Sequence, residues 1–354
     1  MFTLRTSLEL TQSGNDVILL CRRKSRLSEK AQEAGLKVLP LLGPDLSIPS
    51  KIYKLARTIS SEQYEVVHTH LSHDLWTLVP AIRYSRVRPK LFLTKHMGSW
   101  VDKKDHFHKF LYDNVTGIFA ISNYVKQSVL ASCPIDEGKV SVLPPGISLQ
   151  KYDRGTHDRN SIKNKYNIPA DSIVAGMAGR MTPGKGHEEF LSAVRLLIDT
   201  EMKNIAYLII GSASYGEESY EEKIRLMARK FDIGDKIRFT GFVENMPEIL
   251  SVLDIFVFPS HEESFGFALL EAMAMELPVI AARNAGVLDI VVDKETGILV
   301  TPKDSGSLAE AIKQLAEDKE LRCSLGRAGR KRVEMYFRFD DIISRLVKHY
   351  SDRV

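Results

Sequence analysis

Short apolar runs, separated by segments of helical pattern, constrain this chain more than any other feature, because they occur as two successive series. The first series is "DVILLC", "VVHTH", "LFLTKH", "GIFAIS" and "VSVLP". The second is "SIVAGMAG", "AYLIIGS", "KIRFTG", "DIFVFP", "PVIAA" and "GILV". A continuous apolar run of this length, followed by a helix or loop, is the pattern of a parallel strand buried on both faces. Helices are expected at about 187–199, 217–231, 265–276 and 307–317. Two such series imply an α/β protein with two doubly wound sheets. The expected division is a first domain over 1–154, a second over 155–335, and a last helix over 336–354 packing back toward the first domain. The polar stretch "ISLQKYDRGTHDRNSIKNKYNIPADS" reads as the linker. Ligands in such sheets bind at the carboxyl ends of the strands, so the expected site is a cleft between the two domains.

The 354 residues suffice for two domains of ordinary size. Cys21, Cys133 and Cys323 show neither metal nor disulfide spacing, which points to a reducing compartment. No apolar run approaches the roughly 20 residues of a membrane span, and the opening "MFTLRTSLELTQSG" lacks a signal-peptide core. A cytoplasmic protein is therefore expected. Charge is uneven: residues 1–154 hold 22 Lys and Arg against 14 Asp and Glu, net +8, and the remainder is net −4. A basic first half can attract nucleic acid, a membrane surface or an anionic substrate, or can be a solvated surface with no partner; peripheral contact with the inner face of an anionic membrane is one expectation among these.

Two segments of the second series carry chemistry. In "AGRMTPGKGHEEF", Gly179, Gly184 and Gly186 let the backbone turn and approach a ligand. Arg180 and Lys185 place two cations beside a helix N-terminus, whose amides already favour an anion. This suits a diphosphate, although the loop is neither a Walker loop nor the GxGxxG fingerprint. In "HEESFGFALLEAMAMELPVIAA", a second helix start near Phe265 and Gly266 follows a strand. Glu263 lies in the loop and Glu271 on the helix, an acidic pair suited to accepting hydrogen bonds from sugar hydroxyls. Glu271 sits among Leu, Ala and Met, where a carboxylate is costly unless something donates to it. It is either a surface residue or aimed at a ligand.

Arg-x4-Lys-Gly after a strand, then Glu-x7-Glu in "EESFGFALLE", then "EAMAMELPVIAA", resembles the retaining glycosyltransferases of family 4, the group 1 glycosyl transferases. "FAIS", "VLPPGIS", "FTGFV" and "TGILVTPKD" extend the resemblance over nearly the whole chain. It implies the GT-B fold, with two Rossmann-like doubly wound domains. It also implies a retaining, metal-independent transfer of sugar from a nucleoside-diphosphate sugar to a glycan or lipid-linked acceptor, in cell-surface polysaccharide or lipopolysaccharide synthesis. On this resemblance Arg180 and Lys185 bind the donor diphosphate, beside Gly179. Glu263, with the amides of Ser264, Phe265 and Gly266, contacts the transferred sugar and its phosphate, and Glu271 binds the ribose. His96, at the end of "FLTKH", belongs near the reaction centre. The catalytic set is thus His96, Arg180, Lys185 and Glu263. No Asp-x-Asp is present, so no metal is expected, and no cofactor, since the nucleotide sugar is itself a substrate. No nucleic-acid partner is expected. His68 and His70 are read as structural or cleft-lining, and His187 has no assigned role.

The chain departs from the family at several points. The family begins with a strand and a Gly-rich loop ahead of the first helix, whereas Met1 lies at the start of that helix. An earlier native start is therefore expected, or a form that folds with a gap in its first sheet. Glu276 stands where the family often has Gly, and "AGVLD" stands where it favours Gly-Gly and Glu. Two alternatives are a nucleotide-sugar epimerase of the same fold and a catalytically weak nucleotide-sugar binding protein. A nicotinamide enzyme would need a GxGxxG after a first strand, and none is present.

Overall fold

In a computed structural model of the chain, residues 2–22, 24–41, 47–98, 101–198 and 204–352 are described. They form two compact units, 1–146 with 339–354, and 147–338. The chain passes from one unit to the other twice, at 146/147 and at 338/339, against sequence-based boundaries of 154/155 and 335/336.

The first unit runs α1 (Phe2–Gln12), β1 (Ile18–Arg22), α2 (Arg26–Glu33), β2 (Lys37–Leu41), α3 (Ile48–Glu62), β3 (Val66–Thr69), α4 (Leu75–Tyr84), β4 (Lys90–Lys95), α5 (His106–Asp113), β5 (Gly117–Ala120), α6 (Asn123–Ser132) and β6 (Val140–Val142). All strand pairs are parallel, as strand–helix alternation requires. The strands form two sheets: β1 pairs with β2, and β3, β4, β5 and β6 follow in that order. β5 is buried along its whole length, which is why "GIFAIS" shows no alternation. Ser122 ends that run and caps α6, its hydroxyl accepting from the Val125 amide.

The second unit runs α7 (Arg159–Lys165), β7 (Ile173–Ala178), α8 (His187–Ile198), β8 (Ile205–Ile210), α9 (Glu218–Lys230), β9 (Ile237–Phe239), α10 (Met246–Ser251), β10 (Ile255–Phe258), α11 (Phe267–Ala274), β11 (Val279–Ala282), α12 (Val287–Ile290), β12 (Ile298–Val300), α13 (Ser305–Glu317) and α14 (Lys319–Tyr336). Its sheet is all parallel, ordered β12-β11-β10-β7-β8-β9. From β7 the chain proceeds outward through β8 and β9, then crosses back to β10 and proceeds the other way. The boundary between β7 and β10 is therefore the topological switch point, where a doubly wound sheet opens a crevice at its carboxyl edge.

The final helix, α15 (Phe339–Asp352), belongs to the first unit. Phe339, Ile342, Ile343 and Leu346 pack with Phe92, Phe119 and Leu143. It starts at 339 rather than 336, because α14 continues to Tyr336.

The linker reading of 147–172 needs correction. Asp158 caps α7 by accepting from the Asn160 and Ser161 amides, and Tyr152, Ile162 and Ile168 are buried. Several of the charges that made the stretch look like loop are partnered within the second unit. Arg159 bonds Asp254 at 2.9 Å, whose other oxygen accepts from the Val174 amide. Lys163 donates to the Ala170 and Ser172 carbonyls. Charge that is paired at the starts of the central strands reads, in sequence, like solvated charge.

Candidate active site

Three neighbouring strands in the sheet of the second unit, β7, β10 and β11, end in loops that hold one another. Residues 179–186 follow β7. The Met181 amide donates to the Ser212 carbonyl, and Thr182 donates to Glu217 at 2.6 Å. Gly184 and Gly186 both have positive φ, 84° and 81°. Gly186 has a second reason to be glycine: a Cβ there would run into the carbonyl of Pro259, at the end of β10. That close approach brings the loop after β7 onto the loop after β10. The His261 amide donates to the Gly184 carbonyl at 2.8 Å. The His261 ring lies 2.8 Å from Glu189, in the first turn of α8. On the far side, Asn284 donates to the Ser260 carbonyl, and the Gly286 amide donates to the Glu263 carbonyl.

The two charged residues singled out on these loops meet directly. Lys185 donates from Nζ to Oε1 of Glu263, both side chains being largely buried. They are 78 residues apart, and only the β7–β10 pairing makes them neighbours. Arg180, on the same loop as Lys185, is exposed. Behind them α8 begins at His187, so its first amides stand beside Lys185. The second helix, α11, starts two residues later than the sequence suggests. Gly266 is its N-cap, with φ of +103°, a left-handed conformation that L side chains rarely adopt. Phe265 is buried against Phe337, so it anchors the loop while its backbone stays at the helix start.

Glu271 lies in the second turn of α11, between the fully buried Leu270 and Ala272. Its carboxylate accepts from the Tyr152 hydroxyl at 2.6 Å. Tyr152 comes from the stretch read as linker, and no sequence signal marks it. His187 is fully buried, and neither ring nitrogen has a partner. Burial pushes its pKa down to about 4, with the Lys185 cation acting in the same direction and Glu188 against it.

His96 is in the first unit, just beyond β4. Its Nε2 is 3.2 Å from Nδ1 of His70, which stacks on His68. His68 bonds Tyr350 at 2.5 Å and Thr94 at 2.7 Å. All three pKa values are lowered, chiefly by burial, that of His70 to about 4. Neutral rings are thus favoured, and the His70–His96 contact needs one donor and one acceptor.

The profile described as Glycosyltransferase Family 4 matches residues 1–151, and that described as Glycosyl transferases group 1 matches 158–332. The chain belongs to the group 1 glycosyltransferases. The second match spans all of the loops just described. The capsular polysaccharide biosynthesis glycosyltransferase CapM of Staphylococcus aureus is 32% identical over 241 residues, 67% of this chain and 61% of that protein. The D-inositol 3-phosphate glycosyltransferase of Streptomyces avermitilis is 30% identical over 206 residues, 57% of this chain and 44% of that one. The matched part thus spans less than two thirds of the length of either relative. Among solved structures, a glycosyltransferase from Rickettsia africae superposes with a TM-score of 0.90, at 22% identity, over 99% of this chain and 94% of the other. Anabaena HepE in complex with UDP gives 0.84 at 17%, over 99% and 96%. These neighbours share the fold, so this group 1 glycosyltransferase has the GT-B architecture of two Rossmann-like units.

Proposed function

We propose that the protein transfers a sugar, with retention of anomeric configuration and without a metal, from a nucleoside-diphosphate sugar to a hydroxyl of a glycan or lipid-linked acceptor. Cell-surface polysaccharide or lipopolysaccharide synthesis is the proposed setting, in keeping with the CapM relative. The observation that carries the reading is the meeting of Lys185 and Glu263 at the switch point of the second unit, between the starts of α8 and α11.

Breaking the sugar–phosphate bond leaves negative charge on the diphosphate and positive charge on the sugar ring. Lys185, Arg180 and the amides at the start of α8 offer fixed positive charge to the leaving group before the bond breaks, which is electrostatic preorganisation. Glu263 holds Lys185 in place, and in the complex serves the sugar hydroxyls and the developing positive charge. The amides of Ser264, Phe265 and Gly266 take the phosphate, and Glu271 takes the ribose hydroxyls. The acceptor hydroxyl attacks on the face the phosphate leaves, and a phosphate oxygen accepts its proton. We extend the proposal to His96 as a group near the reaction centre.

The test is turnover on a panel of nucleotide sugars with and without glycan acceptors, following free nucleoside diphosphate and the sugar nucleotide by chromatography. Acceptor-dependent release of the diphosphate is the expected result. Conversion of one nucleotide sugar into another without an acceptor would make the protein an epimerase. Binding without turnover on any pair would leave it a nucleotide-sugar binder.

A further inference from the structure

The carboxylate of Glu271 is met by a group from outside its own helix. The residues on either side of it, Leu270 and Ala272, are apolar and fully buried, while Glu271 itself is half-buried, and side chains of α11 around it offer no polar donor. One donor to its carboxylate is Tyr152, 119 residues earlier, whose hydroxyl lies 2.6 Å from Oε1. An ionised carboxylate only accepts, so the phenol must donate. A carboxylate accepts about four hydrogen bonds, so one from the tyrosine does not saturate it.

The tyrosine is itself fixed. One nitrogen of Arg330, on α14, donates to both the Tyr152 carbonyl (2.7 Å) and the Ala274 carbonyl at the end of α11. The guanidinium therefore ties the tyrosine's backbone to the helix that carries Glu271. It reaches both because α14 lies hard against α11: Gly326 faces the Glu276 carbonyl so closely that a Cβ would collide with it. Gly329, beside Arg330, packs on Met273. Glu276 has φ of +56°, the left-handed turn that ends α11 and presents that carbonyl. α14 thus fixes, through backbone carbonyls, both the segment that carries the tyrosine and the helix that carries the carboxylate.

We propose that Tyr152 is the positioning residue for donor recognition: its hydroxyl presets Glu271 for the ribose diol, and so sets how strongly the site prefers ribose to deoxyribose. This rests on the assignment of Glu271 to the ribose made above. A preset carboxylate spends less conformational freedom on binding than one that must be ordered by the ligand. The benefit falls on contacts with sugar hydroxyls and not on those with the diphosphate.

The experiment is calorimetric titration of the full chain with UDP and with 2′-deoxyuridine 5′-diphosphate, for the parent, Tyr152→Phe and Glu271→Gln. Tyr152→Phe keeps the ring and removes only the hydroxyl, and thermal melting checks that the fold survives. UDP binding by Tyr152→Phe is expected to weaken by roughly three- to tenfold, the usual effect of one hydrogen bond. Deoxy-nucleotide binding should change much less, so the preference for ribose falls. Equal weakening for both nucleotides would make Tyr152 merely structural, and tighter UDP binding would make it a competitor for the carboxylate; either overturns the proposal. If Glu271→Gln weakens UDP binding while Tyr152→Phe binds as the parent does, the positioning role is wrong and the ribose assignment stands. If Glu271→Gln leaves both affinities untouched, the ribose assignment itself is wrong and the positioning role goes with it.

Discussion

His187 gives the stability of the second unit a pH dependence that can be worked out. The ring is fully buried, has no hydrogen-bond partner at either nitrogen, and has its pKa pushed from the ordinary 6.5 to about 4. The folded protein thus binds this proton less readily than the unfolded chain does. Between pH 6.5 and about 4 the unfolded state holds more protons, so stability rises with pH across that window. Its full value is present above 6.5 and is lost as pH falls toward 4. With these two pKa values, lowering the pH from 7 to 5 costs about 2 kcal/mol from this residue alone. His187→Leu removes the titrating group at similar volume. It also replaces two unpartnered buried nitrogens with carbon, so at pH 7 the variant should equal or exceed the parent in stability. The assay is urea denaturation at pH 7 and pH 5, followed by far-UV circular dichroism, taking the transition that the substitution moves. The variant should lose about 2 kcal/mol less than the parent between the two pH values, other groups cancelling in the difference. Equal losses would refute the picture of a neutral buried imidazole at this helix start.

Two further outcomes follow from charge. Transfer should survive a chelator almost unchanged, because Lys185 and Arg180 supply the positive charge proposed for the diphosphate; loss restored by magnesium or manganese would count against that arrangement. The net +8 of residues 1–154 should favour vesicles containing anionic lipid over neutral ones in a flotation assay, with the preference weakened by added salt. Equal binding to both would rule out an electrostatic contribution.

Most strands were legible because burial on both faces leaves an uninterrupted apolar run, as in "SIVAGMAG" for β7 and "DIFVFP" for β10. β2 escaped notice: "KVLPL" carries Pro40, which argues against a strand. α14 escaped for the opposite reason. Its buried face is Leu325, Gly326, Gly329 and Val333, half of it glycine, so close helix packing left little apolar periodicity to detect. At the site, the loops bearing Lys185 and Glu263 could each be picked out locally, by glycines before a helix and by the acidic pair. Their contact could not, since it depends on β10 returning beside β7 after two strands have gone the other way. Tyr152 was the least legible of all. A tyrosine in a polar stretch carries no periodicity, and its partner is 119 residues away. The family resemblance marked positions proposed to contact ligand, and says nothing about the groups that hold them.

The most direct test of the donor site is calorimetric titration of Glu271→Ala and Glu263→Ala with UDP, beside a transfer rate for each. Glu271→Ala should weaken UDP binding by on the order of 1.5–3 kcal/mol, as for a hydrogen bond to a charged group, or roughly ten- to a hundredfold. Glu263→Ala should lower the rate far more than it shifts UDP affinity: its proposed work is done on the transferred sugar as the bond breaks, while loss of the partner of Lys185 changes the diphosphate contact to a lesser degree than Glu271→Ala changes UDP binding. Both should melt cooperatively. If Glu271→Ala binds UDP as well as the parent does, Glu271 is a helix residue satisfied by Tyr152 and nothing more, and the donor site assigned to the second unit is wrong.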